Sequence, residues 1–241
     1  MDEIGINDAR IVSPFFGSGY PILIIHPYRF YQAVRTQVHA DFASPVSETI
    51  LQQVAARLRE RNIEVLMVNN GNEARQIVLE RIPQGAEVHS GKSKTLQDSG
   101  ILDLLQDLNQ YRTLRHQTMK MDRKTQGREI RKLISAPDFM LGSVNAITED
   151  GILVDASATG SQLGPYASAA GKVILVAGSQ KIVPDLETAF KRIREYVLPW
   201  EEDQVRKAVN MGTFVGKILI IEREWVAGRM TVILVREPLG I

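Results

Sequence analysis

From Val46 onward, short β-branched apolar runs alternate with stretches whose apolar residues recur every three or four positions, and nothing else constrains the fold so tightly. Val46, Ile50, Val54 and Leu58 are spaced by four, with Arg57, Arg59, Glu60 and Arg61 around them, so they form one apolar face of a helix. Residues 63–68 read as a buried strand ending at Asn69-Asn70-Gly71, and Ala74, Ile77, Val78 and Ile82 mark a second helix. Pro83-Gln84-Gly85 turns the chain into a short strand over 86–89. Past residues 90–95, a helix is expected to carry Leu96, Leu104, Leu105 and Leu108, and another to cover 123–135. Strands are expected over 138–141, as a pair within 145–155 around Glu149-Asp150-Gly151, and over 173–176, 218–221 and 231–235. Leu186, Ala189, Phe190, Ile193 and Val197 share one helical face, with Pro184 near the first turn and Asp185 and Glu187 favourably placed against the dipole. Alternation of this kind predicts an α/β protein with a largely parallel sheet flanked by helices.

Residues 1–45 follow another pattern. Ser13-Pro14, Tyr20-Pro21, His26-Pro27 and Ser44-Pro45 interrupt any long element and leave room for a short helix near 28–40. The expected division is an N-terminal arm or extension, 1–45, and an α/β domain, 46–241. The arm either packs on that domain or contacts a second subunit, which would make a homodimer.

Composition narrows the function classes. Lys+Arg 29 against Asp+Glu 28 is balanced, so nothing global asks for nucleic acid or an anionic membrane. No apolar run is long enough to span a bilayer. The run over 20–25 stops at His26-Pro27, and Asp2 and Glu3 stand where a signal peptide would be basic, so a cytoplasmic protein is expected. The chain has no cysteine, which excludes disulfides, thiolate-held clusters and cysteine zinc sites of its own. Its four histidines, His26, His39, His89 and His116, include no i, i+4 pair. No metal centre is expected, and no cofactor can be named from the residues.

The chemistry-bearing residues cluster at the ends of expected strands. Gly91-Lys92-Ser93-Lys94-Thr95 lies between a strand and a helix, where free backbone N–H groups and hydroxyls can hold an anion; a tight turn with a Ser or Thr N-cap accounts for it equally. The Walker spacing is missing. Glu149 before Asp150-Gly151 is either part of a hairpin turn or a strand-end nucleophile or base. Asp155 with Gly160-Ser161-Gln162-Leu163-Gly164 suggests a loop that a ligand approaches closely, and no histidine follows Ser161 to complete a hydrolase triad. Asn145 opens the expected strand pair. After the strand over 173–176, Gly178-Ser179-Gln180-Lys181 places a lysine at the sheet edge, where open α/β sheets bind ligands. Between residues 112 and 132, eight basic residues face only Asp122 and Glu129; with little aromatic interleaving this is a solvated helix face, or a surface for an acidic partner.

In their order, these segments resemble the lactate-utilization (LUD) domain family from about residue 47 to the C-terminus. The resemblance rests on Arg61-Asn62-Ile63-Glu64-Val65, on Gly91-x-Ser93-x-Thr95-Leu96, and on Ser143-Val144-Asn145-Ala146-Ile147-Thr148-x-Asp150-Gly151. It continues through Lys181-Ile182-Val183-Pro184-Asp185-Leu186 and Val232-Ile233-Leu234-Val235-Arg236-Glu237-Pro238-Leu239-Gly240. It implies a fold similar to the ribose-phosphate isomerase, glucosamine-phosphate deaminase and CoA-transferase group, with the Gly91, Ser93 and Thr95 loop holding phosphate or carboxylate. It also implies a part in oxidising L-lactate to pyruvate as a partner of an iron–sulfur protein. In class I CoA-transferases a glutamate before Asn-Gly is the nucleophile, and Glu149 looks like a variant of it. Two departures stand out. Many relatives have Gly-Asn-Arg where this chain has Gly160-Ser161-Gln162, and many carry a cysteine cluster where residues 200–217 have none.

The expected site therefore has Glu149 as its catalytic residue. Gly91, Ser93, Thr95, Asn145, Asp150, Gly151, Asp155, Gly160, Ser161, Gln162, Gly178 and Lys181 would hold a small anionic ligand. The alternatives are a stand-alone acyl- or CoA-transferase-like enzyme using Glu149, and a non-catalytic scaffold.

Overall fold

The computed structural model describes residues 41–105 and 110–241. Residues 1–40 of the arm, with the expected helix near 28–40, lie outside the described residues, and so does Leu108. The first long element is α1 (Glu48–Glu60), whose N-cap Ser47 accepts a hydrogen bond from the Ile50 N–H at 3.3 Å. Its Leu51, Val54, Ala55 and Leu58 are buried. Asn62 ends it with φ 60, the left-handed conformation that Asn tolerates, and its amide donates to the Glu224 carbonyl at 2.9 Å. Strand β1 (Glu64–Val68) leads to α2 (Gly71–Arg81), capped by Asn70 and stopped two residues before Pro83. Then come β2 (Glu87–Ser90), the short helices α3 (Lys94–Asp98) and α4 (Ile101–Leu104), β3 (Arg112–Thr113), α5 (Leu114–Met119) and α6 (Gly127–Ser135). Strands β4 (Phe139–Gly142), β5 (Ala146–Thr148), β6 (Leu153–Ser157), β7 (Lys172–Gly178) and β8 (Ile182–Val183) follow. A continuous helical rod begins at α7 (Leu186–Lys191), passes through a π-helical stretch (Arg192–Val197) and ends as α8 (Leu198–Val209), before β9 (Lys217–Ile221) and β10 (Met230–Val235).

Six strands form a wholly parallel sheet in the order β1-β10-β7-β4-β2-β3. Both of its faces are covered. Val232 and Leu234 of β10 pack with the apolar residues of α1, whereas Ile233 and Val235 point the other way, to Ala74 and Val78 of α2 and to Leu96. Double burial explains why β7 and β10 read as unbroken apolar runs. A second, four-stranded sheet, β8-β5-β6-β9, is mixed: β5 and β6 form an antiparallel hairpin, β8 joins parallel to β5, and β9 joins antiparallel to β6. Ile147, Leu153 and Ile182 of this sheet share the core on the α1 side.

The α/β architecture with a parallel sheet flanked by helices is as expected, and several elements differ. The single helix expected to carry Leu96 through Leu105 breaks in two at Gly100, which has φ +67; Ser99 Oγ there bonds the Thr95 and Leu96 carbonyls. The helix expected over 123–135 begins only at Gly127, because Asp122 holds residues 122–125 in a turn by accepting from the Lys124 N–H and the Thr125 hydroxyl. Strand β9 belongs to the second sheet, where its partner is β6.

Candidate functional site

The chain leaves β2 for β3 on one side and returns at β4 on the other side of β2, so the loops after β2 and β4 diverge at a topological switch point. A cavity of about 310 Å³ opens there, at the carboxyl ends of β2, β4 and β7. Gly91, Ser93 and Thr95 line one wall, Ser143 and Asn145 another, and Asp155, Ser157, Ser161 and Gln162 a third. Tyr166 and Lys181 form its inner surface, with Val197 and Trp200 of the helical rod opposite.

Lys181 is 2 % exposed, and its ammonium group donates to Thr95 Oγ1 at 2.8 Å, Ser143 Oγ at 2.9 Å and the Val144 carbonyl at 3.1 Å. Each hydroxyl passes its own proton onward: Ser143 to the Val176 carbonyl at 2.6 Å, Thr95 to the Leu239 carbonyl at 3.4 Å. One side chain thus ties together the loops after β2, β4 and β7. Burial pushes the amine down to about 7, Arg192 adds to this, and Asp155 and Asp98 oppose it.

Asp155, in the middle of β6, is 6 % exposed. Burial raises its carboxyl to about 7, against the opposing influence of the Gln162 amide and Lys181. The Gln162 Nε2 donates to Asp155 Oδ2 at 3.3 Å, while Gln162 Oε1 accepts from Ser157 Oγ at 3.0 Å. The amide does work as a two-way group, with protein partners at both ends. Tyr166 enters from the π-helical turn Pro165–Ala169, and its hydroxyl fills the place of a side chain at Gly142: a Cβ there would lie 1.6 Å from Tyr166 Oη. Burial, with Asp155 nearby, drives the phenol well above 10.0.

Behind Asn145 lies Arg192, fully buried at the start of the π-helical stretch. Its Nη1 donates to the Asn145 carbonyl at 2.6 Å, its guanidinium sits 5.2 Å from the Tyr196 ring centroid, and its Nε has no hydrogen-bond partner among the described residues. Burial lowers it to about 10. Among the described residues, neither Lys181 nor Arg192 has a carboxylate within ion-pair distance; Lys181 and Asp155 line the cavity, and Arg192 does not. At the mouth, Lys92 pairs with Glu201 at 3.2 Å.

Of the residues expected at the site, the cavity gathers Gly91, Ser93, Thr95, Asn145, Asp155, Ser161, Gln162 and Lys181. Ser93 also caps α3, accepting from the Leu96 N–H at 3.3 Å. Glu149, Asp150 and Gly151 lie elsewhere. They form the closed end of the β5–β6 hairpin while the cavity takes its open end, about 10 Å away along the strand. Glu149 is exposed, and the turn is fastened to the end of α1: Arg61 Nε donates to the Asp150 carbonyl at 2.7 Å, and the backbone at Arg57 leaves no room for a side chain at Gly151. The hairpin-turn reading accounts for this segment. Gly160 and Gly178 shape neighbouring loops without lining the cavity, a Cβ being blocked by Lys217 in the first case and by the Leu239 N–H in the second. Sequence reasoning passed over Ser157, Tyr166, Trp200 and the buried Arg192. The Pro165-Tyr166 step offered a local signal; Arg192 sits on the apolar helical face of Ala189 and Ile193 and offered one too.

Fold and site together define an α/β protein with a polar, ligand-sized cavity at the carboxyl edge of its parallel sheet. The sequence profile of the LUD domain matches residues 51–235, and the chain belongs to this family. No curated protein matches it. Among solved structures, the chain is similar to a DUF162 family protein from Deinococcus radiodurans, at 13% identity and TM-score 0.45 over 79% of this chain and 99% of that one. It is also similar to ribose 5-phosphate isomerase A from Neisseria gonorrhoeae, at 12% identity and TM-score 0.35 over 71% of this chain and 94% of that one. Among the described residues no group of three or more metal-binding side chains occurs, and no helix is long and apolar enough to cross a membrane.

Proposed function

We propose that this LUD-domain protein binds a small anionic ligand in the cavity and serves L-lactate utilization, the oxidation of lactate to pyruvate, in the cytoplasm beside an iron–sulfur partner. The observation that carries the ligand reading is the charge inside the cavity wall. Among the described residues Lys181 lines the cavity without an ion-paired carboxylate, and Asp155, the buried carboxyl of the same wall, is raised toward its neutral form, so an ammonium there has no counter-charge of its own. A small carboxylate or phosphate restores the balance, with Gly91, Ser93, Thr95, Asn145, Ser161 and Gln162 offering hydrogen bonds around it. The association of the family with lactate use supports the redox setting. This chain has no cysteine to hold a cluster, so in this reading the cluster belongs to the partner. Glu149 takes no part, since its turn is at the far end of the hairpin.

The test is calorimetry and thermal shift with L-lactate, pyruvate, inorganic phosphate and CoA as probes. A probe at 100 times its Kd stabilises the native state by about 2.7 kcal/mol, and Gln162→Ala should weaken its binding. Absence of any shift or heat with all four probes on the wild-type protein overturns the reading.

A further inference from the structure

We propose that Lys181 is a carbonyl-reactive lysine: its Nζ condenses with the keto carbon of a small 2-oxo acid held in the cavity, and Asp155 moves the protons. This rests on the ligand reading above and extends it from binding to covalent chemistry.

Three features of the geometry point to it. Lys181 lines the cavity, and among the described residues its nitrogen bonds only neutral acceptors, two hydroxyls and a carbonyl, whereas Lys92 and Lys94 at the same site are each paired with a carboxylate. Loss of one proton from Nζ leaves two N–H bonds for the Val144 carbonyl and one hydroxyl. The lone pair then faces the other hydroxyl oxygen, itself a lining group of the cavity, and that hydroxyl gives way to the carbonyl carbon while keeping an acceptor for its own proton. Finally, the buried carboxyl of Asp155 lines the same cavity and accepts a hydrogen bond from the Gln162 side chain. Burial supports the same conclusion, since both groups titrate near 7 and neutral amine and neutral carboxyl coexist around that pH. The class of substrate follows from the lining. A keto carbon answers the amine, and a carboxylate answers the Gly91 and Ser93 loop and Asn145, which line the same cavity.

The step balances without a co-reactant. The Nζ lone pair forms the C–N bond as the carbonyl π pair moves onto oxygen, which takes the Asp155 proton. The carboxylate then takes a proton from the new ammonium and returns it to the hydroxyl. Water leaves as the nitrogen pair forms C=N, and the protonated imine is left beside the Asp155 carboxylate.

Pyruvate with sodium cyanoborohydride tests this on the full chain, read by intact mass and peptide mapping, with thermal shift by pyruvate alone measured in parallel. The expected result is one reduced pyruvyl adduct per chain on the Lys181 peptide, its formation slowed by L-lactate as a competitor without a keto group. Asp155→Asn keeps the amine and should label about 100-fold more slowly or less. Lys181→Arg should take no adduct at this peptide. A pyruvate-induced shift without a Lys181 adduct overturns the imine and leaves the ligand reading standing. Neither shift nor adduct overturns the imine and removes pyruvate as the ligand. Adducts scattered over exposed lysines such as Lys92 and Lys207 overturn the assignment.

Discussion

Replacing Asp155 by Asn removes a titrating group while keeping its shape, and the surroundings set both the sign and the size of the effect. The carboxyl ordinarily titrates at 3.8 and here at about 7, chiefly because burial disfavours its charge. A folded pKa above the unfolded one means that the native state keeps a proton the unfolded chain has released. Stability from this group is therefore full below pH 3.8, falls through the window, and is gone above about 7. Over that window the loss amounts to about 4 kcal/mol. Asn escapes it but gives Lys181 no counter-charge, so the expected gain of Asp155→Asn at pH 8 is about 2–4 kcal/mol, with no gain at pH 4. In a domain of this size that is a rise in Tm of roughly 4–16 °C at pH 8. Urea denaturation of both proteins at pH 4 and pH 8 measures the difference and cancels effects common to the two. Lys181 works in the opposite sense: lowered from 10.5 to about 7, it costs stability below 7 and restores it as the pH rises toward 10.5. The two groups together place a stability minimum near pH 7 in the wild type. If the variant gains nothing at pH 8, or is less stable there, burial does not raise the Asp155 carboxyl in the native protein and the charge balance drawn for the cavity is wrong.

Other consequences are open to direct measurement. Glu224 and Arg229 form a buried ion pair at 2.9 Å, and the same guanidinium donates to the Tyr166 carbonyl at 2.6 Å, so Glu224→Gln should cost about 3–5 kcal/mol in urea denaturation. Replacing both partners by apolar residues should recover much of that, and a double-mutant cycle with no coupling would refute the pairing. Gly142→Ala drives a Cβ into Tyr166 Oη and should cost about 1–3 kcal/mol while weakening ligand binding; unchanged stability would mean that Tyr166 has another place to go. Glu149→Ala should leave both stability, within about 0.5 kcal/mol, and ligand affinity unaltered, and a lost calorimetric signal would return Glu149 to the site.

The legible parts of this fold are those whose geometry depends on near neighbours. The four-residue spacing of Val46, Ile50, Val54 and Leu58 marks α1, the apolar run of β1 marks a strand, and Ser47 and Asn70 are the caps their side chains make them. Gly100 and Asp122 carried readable signals as well, a left-handed residue and a side chain that competes with the helix, but apolar spacing outweighed them in the expectation. Gly91, Ser93, Thr95, Asp155 and Lys181 stood out because polar and small residues follow strand ends, which is where α/β sheets leave their crevices. Glu149 shows the limit of that argument. A hairpin has two ends, and its sequence does not say which one meets the cavity.

What the sequence by itself determined, then, is the order of the elements, the parallel core and the strand-end loops from which a site can be built. Only the tertiary structure decided that Lys181 would meet hydroxyls from two other loops, that Tyr166 would fill the space left by Gly142, and that β9 would pair with β6. It also decided that Arg192 and Asp155 would be buried, with no ion-pair partner among the described residues. Helix and strand periodicity are set by residues two to four apart. Burial, charge balance and pKa are set by groups brought together from distant parts of the chain, and they exist only once the chain has folded.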